Sequence, residues 1–285
     1  MKYGVIDIGS NSVRLLMASD GKTLYKELNT TRLGEGLALT GKLTAAAMYR
    51  SAFAVRDFRA QALGEGAAEV FAFATAAVRS ASNGGEFVRL VKETAGLDVD
   101  VISGEEEADI GLTGAVGGRD GGIVDVGGGS TELTLRRKGK IVRAASVGVG
   151  AVRLFDLCGR DRDKLVSAAR EKLAPLAGEC GVPVCGIGGT ATSLAALALH
   201  LKKYDPAKVD GFVLTAEKLD ELLDGIFART PEEIAGESCL PLRRAEIVGG
   251  GAVIVREVMR LLSLDKIAVS ERDNLEGYLL RRLKK

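Results

Sequence analysis

Two short stretches of the chain place an aspartate, a glycine turn and hydroxyls in the same order. They are DIGSNS (Asp7–Ser12) and DVGGGS (Asp125–Ser130). Glycines let a ligand approach the backbone, hydroxyls donate hydrogen bonds, and a carboxylate at a strand end can hold a cation. A polyphosphate tail needs those three things. The candidate contacts are Ser10, Asn11 and Ser12 in the first loop, and Gly127, Gly128, Gly129 and Ser130 in the second. The spacing is not that of a P-loop. It is also a poor dinucleotide fingerprint, because each loop runs into an alternating strand and not into a helix. A lone loop of this kind reads as a tight hairpin. Two in matched register favour phosphate binding across a cleft.

The match is an internal repeat. A slide of 118 residues lays Gly4–Lys22 over Gly122–Lys140 without a gap, and seven of the nineteen pairs are identical. Asp7 aligns with Asp125, while Arg14 aligns with Glu132. Asp125 and Glu132 form a candidate hard-oxygen site for Mg²⁺ or another divalent cation, which needs few carboxylates when water and phosphate supply the rest. Asp7, the equivalent carboxylate of the first copy, is the third candidate metal ligand. Arg14 would supply positive charge or a structural ion pair.

A third glycine cluster, CGIGGTATSLAAL (Cys185–Leu197), reads as a strand followed by a helix start. Gly188, Gly189 and Thr190 there are candidate phosphate contacts at a helix N-terminus. The stretch VISGEEEADI puts Glu105, Glu106, Glu107 and Asp109 at a strand-to-helix transition. Acidic residues favour a helix N-terminus, and they cannot all face one cleft, so at most one or two are left for acid–base work. Arg79, in FATAAVRSASN, is either a phosphate clamp or an exposed loop arginine.

The elements that must position these residues follow the same twofold plan. Each copy reads as strand, glycine turn, strand, Gly-Lys turn and third strand, with helical patterns after it. Helices are predicted over 44–63, 86–95, 105–112, 161–176, 192–201, 216–228, 245–262 and 275–284, with a buried strand at 70–75 and a short strand at 98–104. The fold class is α/β, with two domains at 1–118 and 119–285 joined near the glycine-rich GAVGGRDGG (Gly114–Gly122).

Bulk composition narrows the function. The 285 residues carry a formal net charge of +1, which gives no global field for a nucleic-acid polymer or a membrane. No apolar run approaches the ~20 residues of a bilayer span, and the N-terminus has no signal-peptide pattern. Cys158, Cys180, Cys185 and Cys239 form no Cys-x-x-Cys pair, and His200 is the only histidine. Zinc sites, disulfide frameworks and histidine-based catalysis are therefore disfavoured, and a reducing cytoplasm is the expected location. A homodimer is the expected assembly on general grounds.

Taken in order, GVIDIGSNSVRLLM, TRLGEGLALTGKL, ATAAVRSASN, VISGEEEA, VDVGGGSTEL, SVGVGAVRL, CGIGGTATSLAAL, RAEIVGGGAVIV and VSERDNLEGYLL resemble the exopolyphosphatase/guanosine pentaphosphate phosphatase (Ppx/GppA) family. The resemblance implies two ribonuclease-H-like domains of the actin, hexokinase and chaperone ATPase superfamily, with an active site in the cleft between them. It implies that the last helix packs back on the first domain. It places Glu107 on the attacking water, Asp125 and Glu132 at the metal, and Arg79 near the phosphates. Ser10, Asn11, Gly128, Gly129 and Ser130 would line the phosphate path. The implied reaction releases orthophosphate from the end of polyphosphate or from guanosine pentaphosphate. Long members carry a further C-terminal domain related to His/Asp phosphohydrolases, and this chain resembles the short form. The competing expectations are a superfamily kinase and a non-catalytic nucleotide sensor.

Overall fold

The computed structural model describes residues 1–284, which divide into two compact units. The first unit takes Met1–Gly114 together with the segment that begins at Asn274, and the second takes Ala115–Asp273. The terminal helix thus belongs to the first unit by its contacts.

The first unit begins β1 (Lys2–Ile8), β2 (Val13–Ser19) and β3 (Lys22–Asn29), then α1 (Leu37–Thr40) and α2 (Ala45–Gly64). It continues through β4 (Glu69–Ala74), α3 (Ala76–Ser80), α4 (Gly84–Ala95), β5 (Val99–Val101) and α5 (Gly104–Val116). The sheet order is β3-β2-β1-β4-β5, antiparallel from β3 to β1 and parallel from β1 to β5. Strand β1 is central and buried on both faces, which is why YGVIDI reads as an apolar run and not as an alternation. Successive side chains serve opposite faces. Ile6 and Ile8 join Phe58, Phe87 and Val91 of α2 and α4. Val5 joins Leu16 and Phe73 on the other face, with Leu275, Tyr278 and Leu279 from the end of the chain.

The second unit repeats the plan with β6 (Gly121–Val126), β7 (Thr131–Arg137) and β8 (Lys140–Val147), then α6 (Ala151–Cys158), α7 (Arg162–Leu173), β9 (Val184–Ile187) and α8 (Gly188–Ala198). After α9 (Pro206–Val209) and β10 (Val213–Thr215) come α10 (Ala216–Phe227), α11 (Pro231–Glu237), α12 (Leu242–Leu261) and β11 (Lys266–Val269). Helix α13 (Asn274–Leu283) then returns to the first unit. The sheet order β10-β11-β9-β6-β7-β8 contains the five-strand pattern of the first unit plus β10 at one edge. Helix α12 is the centre of this unit's core: Val248, Ala252, Val255 and Val258 are buried with Leu133, Leu154, Leu165 and Ile226.

Two helix starts differ from the sequence expectation. Helix α8 begins at Gly188 and not near Thr192, so the Gly-Gly pair is its first turn. Glycine has low helix propensity, but a first turn needs no intrahelical N–H partner and tolerates it. Helix α12 begins at Leu242, three residues before the expected start, behind the extended Pro241.

Candidate active site

In the first unit the loop after β1 is closed by Gly9 N–H donating to Ser12 carbonyl at 3.0 Å. Its outward carbonyls are occupied by the next loop: Arg32 N–H donates to Asn11 and Gly34 N–H to Ser10, both at 2.8 Å. The side chains of Ser10 and Asn11 stay exposed, so their hydroxyl and amide can reach a ligand. Asp7, one strand position before the loop, lies opposite Arg14 in the β1–β2 ladder. The guanidinium donates to its Oδ2 from Nε at 3.0 Å and from Nη2 at 2.5 Å. Of the two alternatives for Arg14, the structure has the ion pair, and Asp7 spends Oδ2 on it.

The acidic run at the start of α5 is sorted by its partners. Ser103 and Glu106 form a reciprocal cap: Ser103 N–H donates to Glu106 Oε2 at 2.9 Å, and Glu106 N–H donates to Ser103 Oγ at 3.1 Å. Glu106 Oε1 accepts from Arg281 Nη2 of α13 at 2.5 Å. The Ser103 backbone N–H and then the Arg281 guanidinium hold the Glu106 carboxyl down at about 2. Glu106 is thus engaged in structure. Glu107 is the neighbour that meets a candidate phosphate residue: Arg79 Nη1 donates to Glu107 Oε2 at 3.1 Å and to Ile102 carbonyl at 2.8 Å. Arg79 sits on α3, directly after the buried strand β4. Both side chains are about one-third exposed, at 34% and 29%, so the pair is open to a substrate.

In the second unit the loop after β6 is closed in the same way, with Gly127 N–H donating to Ser130 carbonyl at 2.9 Å. Asp125 and Glu132 are direct partners in the antiparallel β6–β7 ladder. Cross-strand partners point to one face with Cα atoms ~4.5–5.5 Å apart. Ser146 Oγ of β8 donates to Glu132 Oε1 at 2.7 Å and fixes that carboxylate. Two hard carboxylates on one face suit Mg²⁺, which keeps waters and takes phosphate oxygens for its remaining positions. Among the described residues no group of three or more His, Cys, Asp or Glu is placed to hold a metal. The donor set therefore fits a metal held partly by water and substrate, not one enclosed by protein.

Asp125 also reaches the start of α8. Gly188 has φ +78, and a Cβ there would lie 2.3 Å from Asp125 Oδ1. Only glycine combines that backbone with that contact. Ile187 gives helix α8 no side-chain cap, and the first turn of the helix opens beside the Asp125 carboxylate. Thr190 contributes differently from expectation. Its hydroxyl donates to Val126 carbonyl at 2.7 Å, which ties α8 to the end of β6.

Three residues outside the sequence expectation complete this unit's site. A Cβ at Gly150 would lie 2.5–2.6 Å from backbone atoms of Gly127, Gly128 and Gly129. That close approach lets Ala151 and Val152 donate to the carbonyls of Gly127 and Gly128, each at 2.9 Å. Contact shows Gly150 to be the seat of the loop. Arg153 is exposed, donates to Gly148 carbonyl at 2.9 Å and lies beside Gly129. Arg244 of α12 is exposed and donates to Gly189 carbonyl at 2.8 Å. No sequence spacing links Arg244 to Gly189, 55 residues away.

A family model, the Ppx/GppA phosphatase family, matches residues 15–285. The chain belongs to the Ppx/GppA phosphatase family. Exopolyphosphatase 2 of Mycobacterium tuberculosis is 32% identical over 312 aligned positions, which cover 98% of each chain. The crystal structure of a Ppx/GppA phosphatase from Aquifex aeolicus, type II variant, matches with a TM-score of 0.89 at 29% identity and covers 99% of each chain. An exopolyphosphatase from Cytophaga hutchinsonii matches with a TM-score of 0.76 at 28% identity, over 100% of this chain and 98% of that one. The two units are the two actin-like, ribonuclease-H-like domains of that family. The chain is a phosphoanhydride hydrolase by family. Among the described residues no helix is long and apolar enough to cross a membrane.

Proposed function

We propose that the protein removes the terminal phosphate of inorganic polyphosphate by Mg²⁺-dependent hydrolysis and releases orthophosphate. The observation that carries this reading is the Asp125–Glu132 pair beside a glycine loop. A bound Mg²⁺ would neutralise charge on the phosphate oxygens. Asp125 and Glu132 would hold it, with Ser146 orienting Glu132. Each unit carries donors suited to phosphate oxygens: loop 9–12 in the first, and loop 127–130 with the start of α8 in the second. Glu107 accepts a proton from the attacking water, and Arg79 both steadies that carboxylate and offers charge to the phosphoryl group. Phosphoryl transfer through a loose transition state asks mainly for such positioning and charge.

The relative called exopolyphosphatase 2 supports polyphosphate as substrate. The family's breadth keeps guanosine pentaphosphate as the second reading. The four cysteines are free, which supports a reducing cytoplasmic location. The test is phosphate release from polyphosphates of graded length and from guanosine pentaphosphate, measured side by side with and without Mg²⁺. Glu107→Gln is the control. Release from polyphosphate that depends on Mg²⁺ and falls in this variant supports the reading. Preference for the nucleotide moves it to the second substrate, and transfer to an acceptor from ATP would make the protein a kinase.

A further inference from the structure

Helix α13 supplies the second face of the first unit's sheet, and it also grips the helix that carries Glu107. Tyr278 is 2% exposed and stacks on Phe73 with ring centroids 4.6 Å apart. Its hydroxyl donates to Asp100, which also pairs with Arg282 at 3.2 Å. Glu276, 6% exposed, accepts from Thr23 at 2.8 Å and pairs with Lys26 at 2.9 Å. Helix α13 is thus locked to β3 on one side and to β5 on the other. Gly277 lies flat against α5, where even a Cβ would come within 1.7 Å of Ile110 carbonyl.

The contact that bears on chemistry is at the start of α5. Arg281 reaches Glu106 Oε1 at 2.5 Å, while Glu106 Oε2 accepts the Ser103 N–H at 2.9 Å. One carboxylate therefore joins α13 to the cap of α5. The next residue is Glu107, whose backbone N–H donates to Ser103 carbonyl at 2.9 Å. Cap residue, tether and proton acceptor are consecutive or nearly so, and the guanidinium that holds them comes from the far end of the chain. A carboxylate that merely capped the helix would need no cation from another helix.

We infer that Arg281 is a positioning residue: through Glu106 and the Ser103 cap it fixes the first turn of α5 and so the place of Glu107 against Arg79. This rests on Glu107 being the proton acceptor of the proposed reaction. A turn that shifts by a fraction of an ångström lengthens the path from Glu107 to the water without touching the phosphate-binding loops. The cost should fall on kcat and not on KM.

The experiment uses the full chain with Arg281→Ala, Arg281→Lys, Glu106→Gln and Glu107→Gln, assayed for Mg²⁺-dependent phosphate release with melting temperatures in parallel. Arg281→Ala is expected to lower kcat on the order of tenfold or more with KM within about twofold, and Arg281→Lys to restore most of it. Glu106→Gln keeps an oxygen for the Ser103 cap but gives up the charge to Arg281. It should reproduce the kcat loss even if Arg281→Ala proves unstable. Wild-type kcat in a folded Glu106→Gln or Arg281→Ala protein, with Glu107→Gln inactive, overturns the inference and leaves the proposed function standing. Wild-type turnover in Glu107→Gln overturns both.

Discussion

Asp125 stands directly opposite Glu132 in the second sheet, at the place where the first sheet has Asp7 opposite Arg14. The ladder register is the same in both copies, and within this pair one residue type differs. With arginine at that place the site closes on itself as an ion pair. With glutamate, two carboxylates share a face, the arrangement proposed above to hold Mg²⁺.

That difference can be tested by exchange. Glu132→Arg should convert the second copy into the closed arrangement of the first and abolish Mg²⁺-dependent phosphate release. Asp125→Asn and Glu132→Gln should each lower kcat/KM on the order of a hundredfold or more, read from release rates across a Mg²⁺ titration.

Removal of Arg14 should act on stability. Asp7 is 5% exposed, and Arg14→Ala takes a charge-assisted partner from a buried carboxylate. The expected cost is about 1–3 kcal/mol, read from urea denaturation. The Mg²⁺ dependence of the remaining activity should be unchanged.

Gly188→Ala should separate chemistry from folding. Its Cβ would meet Asp125 Oδ1 at 2.3 Å, in a backbone with φ +78. The side chain must move, and with it one expected ligand of the metal. Activity should fall further than a stability loss of about 1 kcal/mol would explain, and the Mg²⁺ concentration for half-maximal rate should rise.

Gly150→Ala should instead disturb the loop. A Cβ at 2.5–2.6 Å from three loop residues forces α6 off the carbonyls of Gly127 and Gly128. A loss of about 1–3 kcal/mol is expected, together with a raised KM, measured by thermal melting and by substrate titration.

The cap on α5 gives a pH signature. The Ser103 N–H and Arg281 hold Glu106 at about 2, below its ordinary 4.5. A carboxyl depressed in the folded state stabilises above its unfolded value and loses that contribution as pH falls towards the folded one. The melting-temperature gap between wild type and Glu106→Gln should be full at pH 7 and shrink from about 4.5 towards about 2. Its size will be modest, because the Glu106 side chain is 40% exposed and screened by solvent. A gap that stays constant over that range would sink this account.

Several parts of this site were legible in the linear sequence. The repeat is visible because a glycine loop between strands constrains residue types locally, and both copies keep Asp, Gly and Ser at fixed offsets. The Asp125–Glu132 pair follows from that, since a short turn sets the register of a hairpin. Helix ends were less legible. The Gly-Gly start of α8 looks like a loop, because its role depends on Asp125 and Arg244 pressing against it. Thr190 offers a donor in sequence but turns it inward to Val126. Gly150, Arg153 and Arg244 carry no local signal, since what they touch lies on other elements.

Two neighbouring acids mark the dividing line. Sequence by itself determined that the chain has two copies of an α/β unit, that each carries a glycine loop with an aspartate, and that glutamates open α5. These are consequences of periodicity and turn chemistry, which act over a few residues. Only tertiary structure decided that Glu106 is spent on Ser103 and Arg281 while Glu107 meets Arg79. The partner of Glu106 lies 175 residues away in sequence. A carboxylate takes its role from the charge and hydrogen bonds within a few ångströms, and those distances exist only once the chain has folded.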